Sequence, residues 1–505
     1  MSDPDFIVIG SGPNGLVAAN MLARRGHRVL VLEAHPGRPG GAVASEELTA
    51  PGFVHDVGAG FFPFGRSSPA FRELKLEEAG LRWVNAPFES CHPALDGTYA
   101  CITRDPEEQA RHFGSPADGA AFAKLTRFHQ SIERELLDAL LRPFPSLLPL
   151  FKLGPAALAR LATLLLRSSG GLARSLFESE AARRVIPSLG LHVDVGPEDT
   201  LGAPLAYVLG LTATTGGYMF PVGGARAITN ALVTTLEQHG GKLRLGARVE
   251  RVIVRGGRAQ GVRVAGGGEL NARLGVLADT GAPALYLSLL DRRDVPRFVR
   301  VRMRRFPVGF GTFRIDFALS APVPWRVEPA RRSAVVHSGE SVDDLARFAR
   351  EVRSGKLPEL PYIVMGQHTL GDPSRAPPGM HTLYGYSRVP PVVHGGWREA
   401  AARFADRLEE RIEGLAPGFR QTIVARHYAA PPDLEAMDAN LVGGDLGGGS
   451  NAWYRQLLFR PVFPYFRYRT PVRGLYLCSS YAHPGAGVHG MCGFNAAQVA
   501  ARDVE

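Results

Sequence analysis

Residues 5–33 read DFIVIGSGPNGLVAANMLARRGHRVLVLE, and this stretch decides the fold. An apolar run at 6–9 ends on Gly10, and Gly10, Gly12 and Gly15 follow in G-x-G-x-x-G spacing. Residues 14–25 read as a helix stopped by Gly26, and 27–32 as a second strand closed by Glu33. In such a strand–loop–helix–strand unit the first glycine permits the tight turn. The second admits a pyrophosphate to the backbone, and the third lets helix and strand pack closely. The helix N-terminus offers unpaired N–H groups and partial positive charge to phosphate. Glu33 suits a ribose hydroxyl and would repel a 2′-phosphate. The motif alone does not choose between FAD and NAD.

The chain has 505 residues, enough for two or three domains. Its 45% hydrophobic and 21% charged content is that of an ordinary globular enzyme. The net charge of +10 comes almost entirely from arginine, the lysines being Lys75, Lys124, Lys152, Lys242 and Lys356. No basic run with interleaved aromatics points to nucleic acid. Cys91, Cys101, Cys478 and Cys492 form no C-x-x-C pair, so neither a redox dithiol nor a metal site is expected. The N-terminus enters the first strand without a signal-type apolar core, and no apolar run approaches the ~20 residues that cross a bilayer. The expectation is a cytoplasmic protein. Within 131–190, residues 155–167 have the period of an amphipathic basic helix, which marks this segment for packing on its own domain or for contact with a membrane surface.

Further along, Gly40 and Gly41 read either as a Pro/Gly turn, the reading this stretch alone favours, or as a second backbone segment brought onto the cofactor. Asp56 and Gly58 precede the aromatics Phe61, Phe62 and Phe64, which read either as pocket or as core. Residues 105–127 read as helix, and 227–238 as another. Strands at 242–245, 248–255 and 259–265 suggest a β meander, and a strand at 274–279 returns to a glycine turn and the cofactor domain. Residues 306–319 alternate as a strand of a larger sheet, with 362–368 and 381–388 as partners, and 399–415 reads as helix. The glycine-dense loop 440–450 lacks a preceding strand and is not a nucleotide loop. The C-terminus gives a strand at 474–480, the loop HPGAGVHG at 483–490 and a helix at 491–502. Gly485, Gly487 and Gly490 repeat the G-x-G-x-x-G spacing with no room for a returning strand. The helix N-terminus there suits the negative charge of a reduced flavin.

GSGPNGL (10–16), RPGGAVASEEL (38–48), PGFVHDVGAGFF (51–62) and GLYLCSSYAHPGAGVHGMCGFNAA (474–497) together resemble the phytoene desaturase-like flavoproteins. The nearest branch is that of the pyridine nucleotide-disulfide oxidoreductase domain-containing proteins. FPVGGAR (220–226) and LADTGAP (277–283) support the resemblance in the middle of the chain. It implies an α/β fold with a Rossmann-type FAD-binding domain assembled from residues 1–75, 205–295 and 465–505. An α+β substrate domain is then inserted at 76–204 and 296–464, with a helical subdomain at about 131–190. It further implies FAD held by Gly10, Gly12, Pro13, Asn14, Gly15 and Glu33, by Arg38, Gly40, Gly41 and Gly58, by Val249 and Asp279, and by Gly487, Val488, Gly490 and Met491. The segment SSYAHPGAG departs from the family's usual small-residue lead-in before H-P-G. The implied activity is desaturation, saturation or isomerisation of C–C or C=C bonds in a hydrophobic, isoprenoid- or lipid-like substrate. A flavin amine oxidase, marked by an aromatic cage and a lysine–water site, and a non-catalytic FAD-binding partner protein are the alternatives. His483 is the local candidate for acid–base work, against a histidine that merely holds its loop; His55 and Asp56 are weaker candidates. The first glycine loop is the only complete nucleotide unit, so oxygen or a quinone is expected as electron acceptor rather than NAD(P).

Overall fold

The computed structural model describes residues 3–505. Its organising layer is a parallel five-stranded sheet in the order Leu475–Leu477, Gly275–Ala278, Phe6–Ile9, Val29–Leu32, Lys242–Arg244. The central strand Phe6–Ile9 is fully buried, and every strand except the exposed edge Lys242–Arg244 reads as a continuous apolar run because both faces are covered. Helix Pro13–Ala23 covers one face, and the C-terminal helix Met491–Arg502 and helix Arg226–Gln238 pack against it. Thus strands from the two ends and the middle of the chain share one sheet. Residues 274–279 return to it as expected, Gly275–Ala278 pairing in register with Phe6–Ile9.

Two sequence expectations need correction. Lys242–Arg244 leaves the meander and pairs in parallel with Val29–Leu32, since its leucine completes the sheet edge. The antiparallel meander is Val249–Arg255, Arg258–Val264 and Glu269–Asn271. The expected helix at 105–127 is two, Pro106–Arg111 and Pro116–Leu141. Gly114 at φ +65° and the Ser115–Asp118 capping box break it.

A second, seven-stranded sheet runs Ile423–Ala429, Gly311–Leu319, His381–Val389, Val364–Gly366, Ser333–His337, Phe88–Pro93, Tyr99–Ile102. The expected strand at 306–319 begins at Gly311, and only His381–Val389 of its two expected partners pairs with it directly; Val364–Gly366 lies one strand further out. One face is apolar, with Phe313, Ile315, Phe317, Leu383 and Met365 packed beneath helix Trp397–Leu415. The other carries Thr312, Arg314, Asp316, Tyr384, Tyr386 and Arg388, all buried. Strand periodicity of two makes one strand serve both an oily core and a polar interior. That polar face meets the first sheet's surroundings. Tyr384 donates to the carbonyl of Gly58 and Arg314 to that of Val57.

The join is held by buried charge. Asp56 accepts from Arg375 at 2.7 Å, Ser45 Oγ at 2.7 Å and the Ala225 N–H at 2.7 Å. Arg375 also reaches Asp372 and the Pro221 carbonyl. Burial alone would raise the Asp56 carboxyl, but Arg375 and its hydrogen bonds hold it below the usual carboxylate range. Asp56 is therefore a structural anchor rather than a reacting group. His55, whose Nε2 meets Thr49 Oγ1 and whose ring burial pushes down to about 4, sits on the same interface.

Candidate functional site

The first glycine loop has the close approaches its spacing requires. Gly10 lies at φ +91°, and a Cβ on Gly12 would stand 2.6 Å from Asp279 Oδ2. A Cβ on Gly15 would collide with the Gly10 carbonyl, so the helix packs on the strand only through glycine. Pro13 takes the first helical position, where its missing N–H costs nothing. Gly40 donates to the Ser11 carbonyl at 3.0 Å, and Gly41 lies against Gly12, its added Cβ reaching the Gly12 Cα at 3.9 Å. Arg38 fixes this second loop by donating to the Gly41 carbonyl at 2.8 Å and to Glu46 at 2.7 Å. Gly58 packs on Ala42, whose Cβ would stand 2.9 Å from a Cβ added to Gly58.

Glu33 sits at the end of its strand. Its Oε2 accepts from the Ser11 N–H and hydroxyl and its Oε1 from the His35 N–H, at 2.6–2.9 Å. A carboxylate has about four lone-pair sites, so these bonds orient it and leave acceptor capacity. The adjoining loop docks here through Ala247 N–H to the Glu33 carbonyl at 2.7 Å, which brings Val249, buried at the meander's start, to the same end.

The far end of the chain closes on the same place. Gly493 packs directly on the backbone of Asn14, and a Cβ on Gly490 would meet Val17 at 2.7 Å. The first and last helices therefore cross near their N-termini. The loop bearing the expected Gly487, Val488, Gly490 and Met491 thus leads into a helix that packs on the one begun by Pro13, Asn14 and Gly15. Only the tertiary structure makes these one site.

Three carboxyls converge where phosphate would be expected. Asp279 accepts the Gly15 N–H at 2.8 Å; burial pushes it up to about 7, with Asp438 and Glu33 adding to the rise. Asp438 is raised by its own burial, with Glu33 acting in the same direction. Its Oδ2 would stand 2.9 Å from a Gly41 Cβ. Nothing in its surrounding sequence distinguished Asp438; it reaches the site through chain reversal after helix Pro431–Met437.

His483 does not serve as a free acid or base. Its Nε2 faces the Arg142 carbonyl at 3.0 Å, its own carbonyl accepts from Tyr468, and burial pushes it down to about 4. It holds the loop to residue 142. The glycine-dense loop 440–450 is also structural. Asp445 takes the N–H groups of Gly309, Gly447 and Gly449, and buried Arg460 binds the carbonyls of Gly447, Gly448 and Ser480. A further polar cluster escaped sequence reading. Tyr386 meets His192 Nδ1 at 3.0 Å, His192 Nε2 meets His337 Nε2 at 2.8 Å, and His337 stacks on His92 at 4.5 Å. Burial drives all three histidines towards the neutral form. These residues come from four separate segments, so no local motif could announce them.

A glycine loop of dinucleotide-binding spacing, a C-terminal helix packed against its helix and a second, polar-faced sheet are the fold of a flavoprotein. Residues 14–388 match the family of flavin containing amine oxidoreductases, and the chain belongs to that family. It is an FAD-dependent oxidoreductase. Pyridine nucleotide-disulfide oxidoreductase domain-containing protein 2 of Mus musculus is 28% identical, covering 99% of this chain and 94% of its own. Prolycopene isomerase 2, chloroplastic, of an Oncidium hybrid cultivar is 27% identical over 96% of this chain and 81% of its own. Cyclohexylamine oxidase from Brevibacterium oxydans superposes with a TM-score of 0.61 at 18% identity, covering all of both chains.

The residues present fit FAD. Asn14 Oδ1 and His489 Nε2 are buried beside the converging helix ends without a hydrogen-bond partner, and glycines keep the backbone open where a Cβ would intrude. Gly12, Asn14 and Gly15 with Gly40 and Gly41 would hold the pyrophosphate, Glu33 and Val249 the adenosine end, and Gly487 to Met491 the isoalloxazine end. When bound, FAD supplies two-electron chemistry. The chain supplies position and the dipole of Met491–Arg502.

Proposed function

We propose that this oxidoreductase desaturates, saturates or isomerises C–C or C=C bonds of a hydrophobic, isoprenoid- or lipid-like substrate collected from an anionic membrane surface. The observation that carries this reading is an exposed apolar and arginine-rich surface. Helix Leu147–Lys152 buries no residue, and Leu148 and Phe151 are 71% and 72% exposed. Arg467 donates to the carbonyl of Phe144, just before this helix, at 3.0 Å, tying that turn to a segment that exposes Phe459 and Phe463. Tyr465 there stacks on Phe298 of helix Arg297–Arg304 at 6.4 Å. Around that helix, Arg292, Arg293, Arg297, Arg302, Arg304 and Arg305 are all exposed. Scattered exposed leucines need no explanation, but a joined set rimmed by arginine suits insertion among anionic headgroups. The amphipathic segment foreseen at 155–167 contributes less, since Leu161 and Leu164 of helix Gly154–Leu165 pack inward. Among the described residues no helix is long and apolar enough to cross a membrane.

Amine oxidation on the same fold is less well supported. Its mark would be a lysine held with water beside the flavin, and all five lysines here are exposed. Reduced flavin then passes electrons to oxygen or a quinone, or back to substrate in a net isomerisation. The test is anaerobic mixing of the oxidised holoprotein with polyene lipids in anionic vesicles and, separately, with a panel of primary and secondary amines. Saturable flavin bleaching, or catalysed double-bond isomerisation, by the lipids is expected. Saturable bleaching by an amine alone would overturn the reading.

A further inference from the structure

We propose that His489 donates a hydrogen bond from Nε2 to the pyrimidine edge of the bound isoalloxazine and so raises the flavin's reduction potential. The inference rests on FAD lying between the two converging glycine loops.

The tautomer is fixed by the backbone. His489 Nδ1 accepts the Met491 N–H at 3.0 Å, the first free N–H of the C-terminal helix. A neutral imidazole that accepts at Nδ1 carries its proton on Nε2. The His489 carbonyl in turn accepts from Ser68 Oγ at 2.6 Å, and Ser68 also caps helix Pro69–Leu74. The residue is thus held at both its ring and its main chain.

Nε2 makes no hydrogen bond of ordinary geometry within the protein, although the residue is 1% exposed and the Ala486 carbonyl lies near its ring. Buried donors of this kind are rare because leaving one unpaired forfeits its hydration. Burial, reinforced by His483 and Arg460, holds the ring neutral, pushing it down to about 3, while a hydrogen bond of poor geometry to the Ala486 carbonyl acts in the opposite sense. The unpaired nitrogen lies beside Gly487, 3.6 Å from where a Cβ on that glycine would stand, and Phe64 flanks the ring at 6.0 Å. Gly487 is the exposed, positive-φ glycine of the loop expected against the flavin. A donor aimed at a carbonyl or ring nitrogen strengthens as negative charge gathers there. It therefore favours reduced over oxidised flavin, adding to the field of the helix N-terminus.

The experiment measures the midpoint potential of bound FAD by anaerobic equilibration with a reference dye, in the wild type, His489→Met and His489→Gln. Loss of the donor in His489→Met is expected to cost about a tenfold preference for reduced flavin, about 30 mV for a two-electron couple. His489→Gln, which restores an N–H, should recover most of it. Independently of any variant, wild-type protein loaded with FAD carrying 13C at C2 and C4 should show a carbonyl stretch lowered from that of free FAD. His489→Met that binds FAD stoichiometrically with wild-type potential would overturn the proposal and leave the FAD site intact. So would wild-type carbonyl frequencies equal to those of free FAD, whether or not the variant folds. Protein that takes up no FAD would refute the site itself.

Discussion

The backbone N–H of Gly15 donates to Asp279 Oδ2 at 2.8 Å, across 264 positions of sequence. A carboxyl therefore caps the helix end that the glycine motif offers to phosphate. Glu33 and Asp438 stand near enough to raise its proton affinity further. At the start of this helix, proton occupancy and anion binding are coupled.

The first prediction concerns that coupling. Asp279 is pushed up to about 7, so it is neutral below that pH and charged above it. Pyrophosphate should bind the neutral form better, and the FAD dissociation constant should rise up to tenfold per pH unit above about 7. Asp279→Asn should flatten this rise and tighten binding at pH 8. Titration of apoprotein with FAD, followed by flavin fluorescence at pH 6, 7 and 8, is the check.

The same group shapes stability without cofactor. Its folded pKa is raised above the unfolded value, so its contribution is fully present below about pH 4 and is lost as pH rises through about 7. Asp279→Asn apoprotein should lose less melting temperature than the wild type between pH 5 and 8. Parallel thermal melts that fall by equal amounts would show that Asp279 does not titrate in this window.

Gly12→Val should abolish FAD retention while the apoprotein still folds. A single added Cβ already lies 2.6 Å from Asp279 Oδ2, and the branched side chain fills the pyrophosphate approach. Flavin absorbance after gel filtration, beside a circular dichroism melt, separates loss of binding from loss of fold.

Arg375→Met should destabilise the protein by about 3–5 kcal/mol, because Asp56 is left buried without its counter-ion. Asp56 is depressed in the folded state, so the stability it confers is present at neutral pH and lost as pH falls through its folded pKa. In Arg375→Met that acid-side loss should shrink. Denaturant unfolding at pH 7 and at about pH 3, below the ordinary carboxylate pKa, measures both effects.

NADH and NADPH should reduce the flavin only slowly and without saturation. The parallel sheet contains one complete glycine-loop unit, and the amides of the 440–450 loop are turned onto Asp445. Stopped-flow bleaching that saturates at a turnover rate would contradict this.

Taken alone, the sequence determined the nucleotide unit at 5–33, the strand–loop–helix at 474–502 and the apolar faces that bury them. Each is encoded within about 30 neighbouring residues, where glycine spacing and apolar period act through local backbone sterics and burial. Even there the ends shifted, because capping and tertiary pairing decide where a strand or helix stops. Tertiary structure alone decided which edge Lys242–Arg244 would complete and that Asp438 would join Asp279 at the phosphate loop. It also turned His483 onto Arg142 while leaving His489, in the same HPGAGVHG motif, with a bare N–H. The two histidines are six residues apart and alike in composition and burial. Their difference is that only the His483 ring meets a distant carbonyl, that of Arg142, and this is fixed only when segments far apart in the chain pack together.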